Sequence, residues 1–290
     1  CQDVGFPDGV VNILTGSARE IAGAIMASPD VRKVTFTGST DVGKVLIRQS
    51  ADTVKKVSME LGGNAPFIVF DDADIDAAIE GAMIAKYRNM GQTCVCTNRF
   101  YVQAGIHDAF VARLKQATEA LVVGDGTEVG VAQGPMIDMA GVEKVEEMIA
   151  DAASKGGKIV SGGKRHEKGG TFFEPTVITG ATADMQCATE EIFGPLSAVF
   201  KFETEEEAIN AANATEFGLA AYAYTKSLGR TFRLNEGLQY GLIGINSGLI
   251  TTVEAPFGGL KESGMGKEGG SQGLEDYLSI KYMCVAGLDA

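Results

Sequence analysis

Hydrophobic and polar positions along this chain show two alternating patterns, one with helical spacing and one of short apolar runs. Residues 17–28 (SAREIAGAIMAS) and 74–88 place apolar side chains three and four apart, which predicts amphipathic helices. Short apolar runs at 31–39 (VRKVTFTGS) and 65–70 (APFIVF) predict buried strands. Helices that alternate with buried strands are typical of an α/β fold with parallel pairing. The same patterns predict helices at 41–52, 106–121, 139–155, 204–213 and 227–236, and strands at 54–60, 100–103, 159–163, 197–202, 221–225 and 241–246.

The two ends of the chain carry separate signals. The last apolar run, YLSIKYMCV at 277–285, alternates weakly and predicts a strand that could join a sheet edge, including one in another subunit. The chain begins at Cys1 with what looks like a helix end, CQDVG, followed by the turn FPDG. We therefore expect a fragment or a processed chain.

Composition narrows the class of protein. The 290 residues are 45% hydrophobic and 22% charged, as in an ordinary globular protein. A formal net charge of −13 without a basic cluster predicts no nucleic-acid partner. Apolar runs such as LAAYAYT are far shorter than the roughly 20 residues of a membrane-spanning helix, so no membrane partner is expected.

Cysteine usage indicates a reducing, cytoplasm-like compartment. An odd count with one close pair is a poor disulfide framework. No metal site is expected either, because the chain has only two histidines and neither has metal-ligand spacing from the cysteines. The cysteines are Cys1, Cys94, Cys96, Cys187 and Cys284, and the histidines are His107 and His166.

A candidate phosphate site lies between a predicted strand and a predicted helix. The stretch GSTDVGK, which starts at Gly38, nearly matches a phosphate-cradling loop, but Val45 stands where the magnesium-binding hydroxyl would be. A helix N-terminus still favours phosphate. We therefore expect Gly38 and Ser39 near the pyrophosphate of a dinucleotide.

The candidate catalytic groups are a carboxylate and a thiol. Glu60, in MELGG, closes a predicted strand; it is either a solvated turn residue or a general base whose pKa is raised by burial. In RNMGQTCVCTN, Cys94 and Cys96 lie in a segment expected to be extended, where side chains two apart point the same way. No histidine is near in sequence, so Glu60 is the available base for a thiol nucleophile.

These motifs resemble the aldehyde dehydrogenase superfamily. FTGST, ELGGNAP, GQTC, EEIFGPL and PFGGLKESGMG occur in the family's order, and the resemblance spans the whole chain. RNMGQTCVCTN, GLI at 248–250 and EDYLSIKYMCVAGL are similar to the succinate-semialdehyde dehydrogenase branch. The sequence looks like the C-terminal portion of such an enzyme, with the upstream half missing.

The resemblance implies an architecture and a quaternary state. Residues 1–61 would be the C-terminal part of a Rossmann-type NAD(P)-binding domain, and 62–262 an α/β catalytic domain. Residues 263–290 would form a return segment and an oligomerisation strand of a homodimer or homotetramer. The location would be cytoplasmic, or the mitochondrial matrix in a eukaryote.

The resemblance also implies a mechanism. Cys94 would attack an aldehyde, and the thioester left after hydride transfer to NAD or NADP would be hydrolysed by water that Glu60 activates. Asn64 and Gly63 would line the site. The implied cofactor-binding residues are Gly38, Ser39, Glu191, which would bind the nicotinamide ribose, and Phe193, which would pack near the nicotinamide.

The resemblance to the succinate-semialdehyde dehydrogenase branch implies residues that select the substrate, and Cys96 bears on how activity is controlled. Arg88 would bind the distal carboxylate of succinate semialdehyde, because a guanidinium suits bidentate carboxylate recognition, and Thr251 would add a hydroxyl. Cys96 is a candidate redox switch, through a disulfide with Cys94. Glutarate semialdehyde and a non-catalytic oligomerisation fragment are the alternatives. Because the upstream half supplies part of the site in this family, we expect the chain alone to be weakly active or inactive.

Overall fold

The computed structural model describes residues 1–287, in which helices and strands alternate along most of the chain. The helices are α1 Ala18–Ala27, α2 Thr40–Ser50, α3 Ile75–Tyr87, α4 His107–Glu119, α5 Met139–Ser154, α6 Gln186–Thr189, α7 Glu205–Asn213, α8 Leu228–Gly237 and α9 Gln272–Glu275. The strands are β1 Lys33–Thr37, β2 Lys56–Glu60, β3 Ala65–Val69, β4 Thr97–Gln103, β5 Lys158–Ser161, β6 Thr176–Thr179, β7 Leu196–Phe202, β8 Phe217–Gly218, β9 Ala220–Tyr224, β10 Leu242–Ile245, β11 Leu260–Lys261 and β12 Gly264–Met265. Short 3-10 turns lie at Gln2–Val4, Ala51–Thr53 and Arg88–Gly91.

Two sheets organise the described part of the chain. A three-stranded sheet has the order β1-β2-β12, with β1 and β2 parallel and β12 antiparallel to β2. A seven-stranded sheet has the order β10-β9-β3-β4-β7-β6-β5 and is parallel except for the β5–β6 pair. Strands β8 and β11 form a small antiparallel pair. The predicted α/β class with parallel pairing is confirmed.

The predicted helices are all present, each within two residues of its predicted bounds. Every predicted strand before the last is present as well. The strand predicted at 277–285 is not formed within this chain: residues 278–287 have no regular structure, and Ile280 is 103% exposed. A strand needs a neighbour to supply its hydrogen bonds, so a role in oligomerisation stays a prediction.

Apolar side chains cover both faces of the large sheet. One core cluster lies around Ile68, Phe70 and the inward side of α5, and the other lies around Phe67 and Phe100. A smaller cluster packs α1 and α2 on the three-stranded sheet. These cores hold the strand ends, and hence the residues that follow them, in fixed positions.

The sequence's near-match to a phosphate loop has a packing explanation at two of its residues. A Cβ at Gly43 would collide with the Leu61 side chain, so the glycine lets α2 approach the end of β2. Lys44 Nζ donates to Glu262 Oε2 at 2.5 Å and is used in that ion pair.

The link between the two sheets, residues 61–64, is held by hydrogen bonds to the start of the return segment, residues 263–290. Ser263 Oγ donates to the carbonyl of Gly62 at 2.7 Å, and the amide of Leu61 donates to the carbonyl of Ser263 at 2.9 Å. Strand β12 then pairs with the end of β2, opposite Glu60. The domain boundaries drawn at 61/62 and 262/263 stay predictions. Among residues 1–287, no helix has the length and hydropathy needed to cross a bilayer.

Candidate active site

Glu60 lies at the last position of β2, where the chain leaves the three-stranded sheet. Its side chain is buried, with only 3% of its surface exposed, and Oε2 has no hydrogen-bond partner in the described residues. Burial raises the pKa of this carboxyl to about 8; the charge of Glu268 raises it further, and that of Lys267 opposes the shift. Glu60 is therefore a buried carboxyl that can hold and release a proton near neutral pH.

The glycine-rich segment 257–268 folds over Glu60. Phe257 and Glu268 exchange two main-chain hydrogen bonds of 2.7 Å, which closes the segment into a loop. A Cβ at Gly258 would lie 3.0 Å from Glu60 Oε1, and Lys267 Nζ donates to the carbonyl of Gly258 at 2.8 Å. The backbone of this loop therefore passes close to the Glu60 carboxylate itself.

Cys94 lies in the turn between α3 and β4, with its thiol half-buried and free. Burial raises the pKa of the thiol to about 11; the charges of Glu191 and Glu60 raise it further. The main-chain amide of Cys94 lowers the pKa by hydrogen bonding to the sulfur. The thiol is therefore protonated at neutral pH in this state, and its use as a nucleophile requires a base or a bound cation nearby.

Gly63 contacts both the backbone of Cys94 and a second carboxylate, that of Glu191. A Cβ at position 63 would collide with the carbonyl oxygen of Cys94, so the two backbones touch. The amide of Gly63 donates to Glu191 Oε1 at 2.8 Å, and Lys144 Nζ donates to the carbonyl of Glu191 at 2.6 Å. Burial raises the pKa of Glu191 to about 7, against the effects of the Gly63 amide and of two lysines, Lys144 and Lys86.

Of the remaining predicted cofactor residues, Gly38 and Ser39 lie at the start of α2, next to the end of β2. Ser39 is the N-cap of α2, where its Oγ accepts from the amide of Val42 at 3.4 Å. The amide of Gly38 donates to the carbonyl of Glu60 at 3.0 Å, which places the α2 N-terminus beside the general-base candidate. Phe193 has a left-handed backbone, with φ of 51°, and its ring is 39% exposed.

Arg88 is exposed and follows α3 directly; the helix ends at Tyr87, one residue before its predicted end. None of the ion pairs formed within residues 1–287 includes Arg88. Its charge acts on the Tyr222 hydroxyl, which donates to the carbonyl of Val95 at 2.8 Å, next to Cys94. Arg88 is therefore a free cation on the thiol side of the site.

The loop that contains Thr251 lies against α3. A Cβ at Gly248 would collide with the backbone of Gly81, in the middle of that helix. Thr251 itself is exposed and makes no side-chain hydrogen bond within residues 1–287, whereas Thr252 is bonded to Glu254. The structure thus brings the loop to the helix that precedes Arg88 but shows no contact of Thr251 with the site.

Cys96 is buried, whereas Cys94 is half-buried, and the segment that carries them is not extended. The amide of Cys96 donates to the carbonyl of Thr93 at 3.0 Å, so the segment is a turn, and the expectation of an extended run was wrong. Cys96 is buried, with Sγ 2.8 Å from Thr93 Oγ1 and 3.6 Å from the carbonyl of Lys86. The left-handed residues Asn89, Met90 and Gly91 fold the chain back just before this turn.

Two groups near the site were missed by sequence reasoning. Lys86 is fully buried beneath it, and Glu268 acts electrostatically on Glu60. Glu268 comes directly after the glycine-rich motif PFGGLKESGMG and Lys267, so its place could have been proposed from that motif, whereas nothing in the pattern marks Lys86 as buried. No group of three or more His, Cys, Asp or Glu side chains in the described range is arranged to hold a metal ion.

Glu60, a buried carboxyl of raised pKa, lies where the three-stranded sheet leads into the seven-stranded sheet, and the Cys94 thiol is free. These features define the class: an α/β protein with a thiol–carboxylate site. The chain belongs to the aldehyde dehydrogenase family, whose model matches residues 1–283. It is 58% identical to a 3-sulfolactaldehyde dehydrogenase of Pseudomonas putida over 99% of this chain and 59% of that protein. It is 55% identical to an NADP+-dependent succinate-semialdehyde dehydrogenase of Escherichia coli over 97% of this chain and 58% of that protein.

Solved structures agree with this assignment. A succinate-semialdehyde dehydrogenase from Burkholderia pseudomallei matches with a TM-score of 0.97 at 56% identity, over 99% of this chain and 59% of that one. A betaine aldehyde dehydrogenase from Staphylococcus aureus, solved in complex with NAD+, matches with a TM-score of 0.91 at 37% identity, over 96% of this chain and 56% of that one. The chain therefore spans less than two thirds of the length of these relatives.

Proposed function

We propose that this chain is the thiol-bearing part of an NAD(P)-dependent dehydrogenase that oxidises a semialdehyde with a distal carboxylate, succinate semialdehyde to succinate. The observation that carries the proposal is the contact of Gly63 with the carbonyl oxygen of Cys94, because Gly63 lies three residues after Glu60, a buried carboxyl whose pKa is raised to about 8. A general base is most effective when its pKa lies near the working pH. The pair therefore has the groups needed to form and then hydrolyse a thioester.

Acylation begins at the sulfur. Once the Glu60 carboxylate has accepted the thiol proton and released it to solvent, Cys94 Sγ forms a bond to the aldehyde carbon, and the carbonyl electron pair moves to the oxygen. The Cys94 amide, which is directed toward its own sulfur, is placed to donate to that oxyanion. When bound, NAD(P)+ supplies the acceptor for the hydride that leaves the same carbon. A thioester on Cys94 remains.

Deacylation depends on Glu60. Its carboxylate accepts a proton from water, and the hydroxide adds to the thioester carbon; the C–S bond then breaks and the acid leaves. The unpartnered Oε2 is the atom available for this water. A family member that passes its acyl group to another acceptor needs no such base, so Glu60 favours hydrolysis.

The residues present fit a dinucleotide. Glu191 uses Oε1 for the Gly63 amide, and no hydrogen bond within residues 1–287 occupies Oε2, which leaves an acceptor for a ribose hydroxyl. Gly38 and Ser39 begin α2, and a helix N-terminus favours a pyrophosphate. Phe193, with its half-exposed ring, would pack near the nicotinamide.

The substrate class rests on Arg88. It is exposed, has no ion-pair partner within the described range, and lies on the thiol side of the site. These properties suit a residue that binds a substrate carboxylate. Relatives are named for succinate semialdehyde, glutarate semialdehyde and 3-sulfolactaldehyde, which are all aldehydes with an anionic group. Thr251 stays a weaker proposal for the same carboxylate.

A substrate panel tests this assignment, with a polypeptide of the relatives' full length that contains this chain. Succinate semialdehyde should exceed a neutral aldehyde of equal length in kcat/KM, and Arg88→Ala should reduce that ratio about 10- to 100-fold, the size of a lost charged hydrogen bond. Arg113→Ala is the matched control, because Arg113 is an exposed arginine already paired with Asp76. A substrate preference that survives Arg88→Ala would exclude this role.

Assembly and location complete the proposal. The exposed apolar side chains of the C-terminal segment, among them Leu278, Ile280 and Tyr282, would be covered in a homodimer or homotetramer. The cytoplasm is the location we propose, or the mitochondrial matrix in a eukaryote, since relatives include mitochondrial enzymes of Arabidopsis thaliana and Mus musculus.

A further inference from the structure

Gln133 is a buried amide side chain that no step derived for Cys94 and Glu60 uses. Its exposed fraction is 2%. Its Nε2 donates to the carbonyl of Tyr87 at 2.6 Å and to the carbonyl of Ala132 at 2.7 Å. The amide oxygen would be repelled by two carbonyls, so these bonds require the nitrogen on this side. Gln133 is therefore a hydrogen-bond donor held against the end of α3.

Main-chain hydrogen bonds keep Gln133 in place. Its amide donates to the carbonyl of Val122 at 3.1 Å, and its carbonyl accepts from the amide of Gly124 at 2.9 Å. The amide of Ala132 donates to the same Val122 carbonyl at 2.9 Å. The Gln133 side chain therefore reaches the end of α3 from a backbone that is itself held on the segment after α4.

The carbonyl that Gln133 binds belongs to the peptide group that joins Tyr87 to Arg88. Carbonyls in the last turn of a helix lack the partner that a further turn would supply, and a side chain from elsewhere can provide the donor. Because a peptide group is planar, a bond to this carbonyl also sets the direction of the Arg88 nitrogen. Gln133 therefore orients the backbone on the N-terminal side of Arg88.

The turn that follows Arg88 is held to the same part of the chain. Gln92 Oε1 accepts from the amide of Ile137, four residues after Gln133, at 2.9 Å. Cys96 Sγ lies 3.9 Å from the carbonyl of Arg88, within the reach of a thiol donor. The backbone of Arg88 is therefore held on both sides, while its side chain is exposed.

We propose that Gln133 is a positioning residue for substrate selection: its side-chain amide holds the peptide group before Arg88, so that the guanidinium meets the distal carboxylate of the substrate. The inference rests on the proposed function, because it needs Arg88 to bind that carboxylate. Bidentate recognition requires a guanidinium at a defined angle, so a tilt of the Arg88 backbone weakens it. A neutral aldehyde has no group for this guanidinium to bind. Gln133 thus acts through Arg88, with no contact to substrate.

Gln133→Met tests this role in a polypeptide of the relatives' full length that contains this chain. Methionine keeps the length of the side chain and removes the amide donors. We expect KM for succinate semialdehyde to rise about 10-fold with little change in kcat, whereas kcat/KM for a neutral aldehyde of equal length should stay the same. Gln103→Met is the matched control, because Gln103 Nε2 also donates to a carbonyl, that of Glu203 at 3.1 Å, at the far end of β4 from Cys94.

The double variant shows whether the effect passes through Arg88. In an Arg88→Ala background, Gln133→Met should cause no further fall in the preference for succinate semialdehyde over the neutral aldehyde. A further fall of the same size would overturn the proposal. Loss of the preference in Arg88→Ala but not in Gln133→Met would refute this inference and leave the proposed function standing, whereas an unchanged preference in Arg88→Ala would refute both.

Gln133→Asn covers the case in which Gln133→Met does not fold. It keeps an amide in the buried position but is about 1.5 Å shorter, which breaks or lengthens the bond to the Tyr87 carbonyl. The preference for succinate semialdehyde should fall here too. A folded Gln133→Asn protein with the parent's preference, or an equal loss of kcat/KM for both aldehydes, would mean that Gln133 supports the fold without selecting the substrate.

Discussion

The backbone of Gly63 lies against the carbonyl oxygen of Cys94, with no room between them for a side-chain carbon. Gly63→Ala should therefore displace the turn that carries the thiol. We expect kcat to fall about 100-fold in a polypeptide of the relatives' full length, with a smaller change in KM, because a displacement of about 1 Å at a nucleophile has an effect of that size.

Gly126→Ala is the control for this substitution, since a Cβ there would have no neighbour within 4 Å and the backbone is not left-handed. Steady-state kinetics on both variants make the comparison. Turnover in Gly63→Ala equal to that of Gly126→Ala would show that the contact does not position the thiol.

The Glu60 carboxyl should give the protein a characteristic dependence of stability on pH. Its pKa is raised from 4.5 to about 8 in the folded chain, so the folded state holds a proton that the unfolded state has released. This contribution to stability is fully present below pH 4.5 and is lost as pH rises through 8. Between these two values the free energy of unfolding should fall by no more than about 1.4 kcal/mol per pH unit.

Chemical denaturation between about pH 5 and pH 9 measures that loss. Glu60→Gln should flatten the decline, because an amide does not titrate, while Glu147→Gln, on the outer side of α5, should leave it unchanged. A decline of the same steepness in Glu60→Gln would mean that other groups cause it.

Lys86 should act on stability in the opposite sense. Burial lowers its pKa from 10.5 to about 8, so the folded state has lost a proton that the unfolded state still binds between these values. Stability should therefore rise from pH 8 to pH 10.5, and the penalty is fully present below pH 8. Lys86→Met should raise the free energy of unfolding at neutral pH by on the order of 1–3 kcal/mol.

Lys55→Met provides the contrast, because it removes an amine with two good hydrogen bonds and leaves two carbonyls unpaired. It should lower the free energy of unfolding by about 1–3 kcal/mol at the same pH. Denaturant titrations of both variants at about pH 7 and pH 10 measure the difference. Equal losses of stability in the two would mean that Lys86 is as well satisfied as Lys55.

Cys96 is predicted to protect or switch the nucleophile under oxidation. Both thiols are free, and Cys96 is buried against the end of α3, so a disulfide with Cys94 requires the turn to rearrange. Peroxide should inactivate the full-length enzyme in a form that dithiothreitol reverses, and Cys96→Ala should lose that reversal. Inactivation that is irreversible in both proteins would remove Cys96 from the mechanism.

Periodicity predicted the helices well because each buries apolar side chains and all of them except α4 begin at a polar cap. Asp74, for example, accepts from two amides at the start of α3. Short elements were missed, since β6 and β12 have four and two residues and owe their structure to neighbouring strands. The parallel expectation also failed at β5–β6, where residues 162–175 return the chain so that the two strands pair antiparallel.

In the site, too, the local sequence predicted some features, and contacts distant in sequence decided the others. Glu60 and Cys94 were proposed from residue type and motif, and the structure buries Glu60, which raises the pKa of its carboxyl. The extended segment predicted at Cys94 and Cys96 was wrong, because a main-chain hydrogen bond from Cys96 to Thr93 turns the chain there. Local sequence does not reveal such a bond, since left-handed residues before the turn decide where the chain goes.

By itself, then, the sequence determined the α/β class and the order of the main elements, and it supplied the candidate thiol and carboxylates. Tertiary structure alone decided their electrostatics. Whether Glu60 is a solvated turn residue or a buried base depends on the return segment, far along the chain, that folds over it. From its sequence Lys86 would be expected on the surface of a helix, and only the packing of the folded chain around the end of α3 buries it. Burial and charge are properties of what surrounds a group, and these surroundings come from parts of the chain distant in sequence.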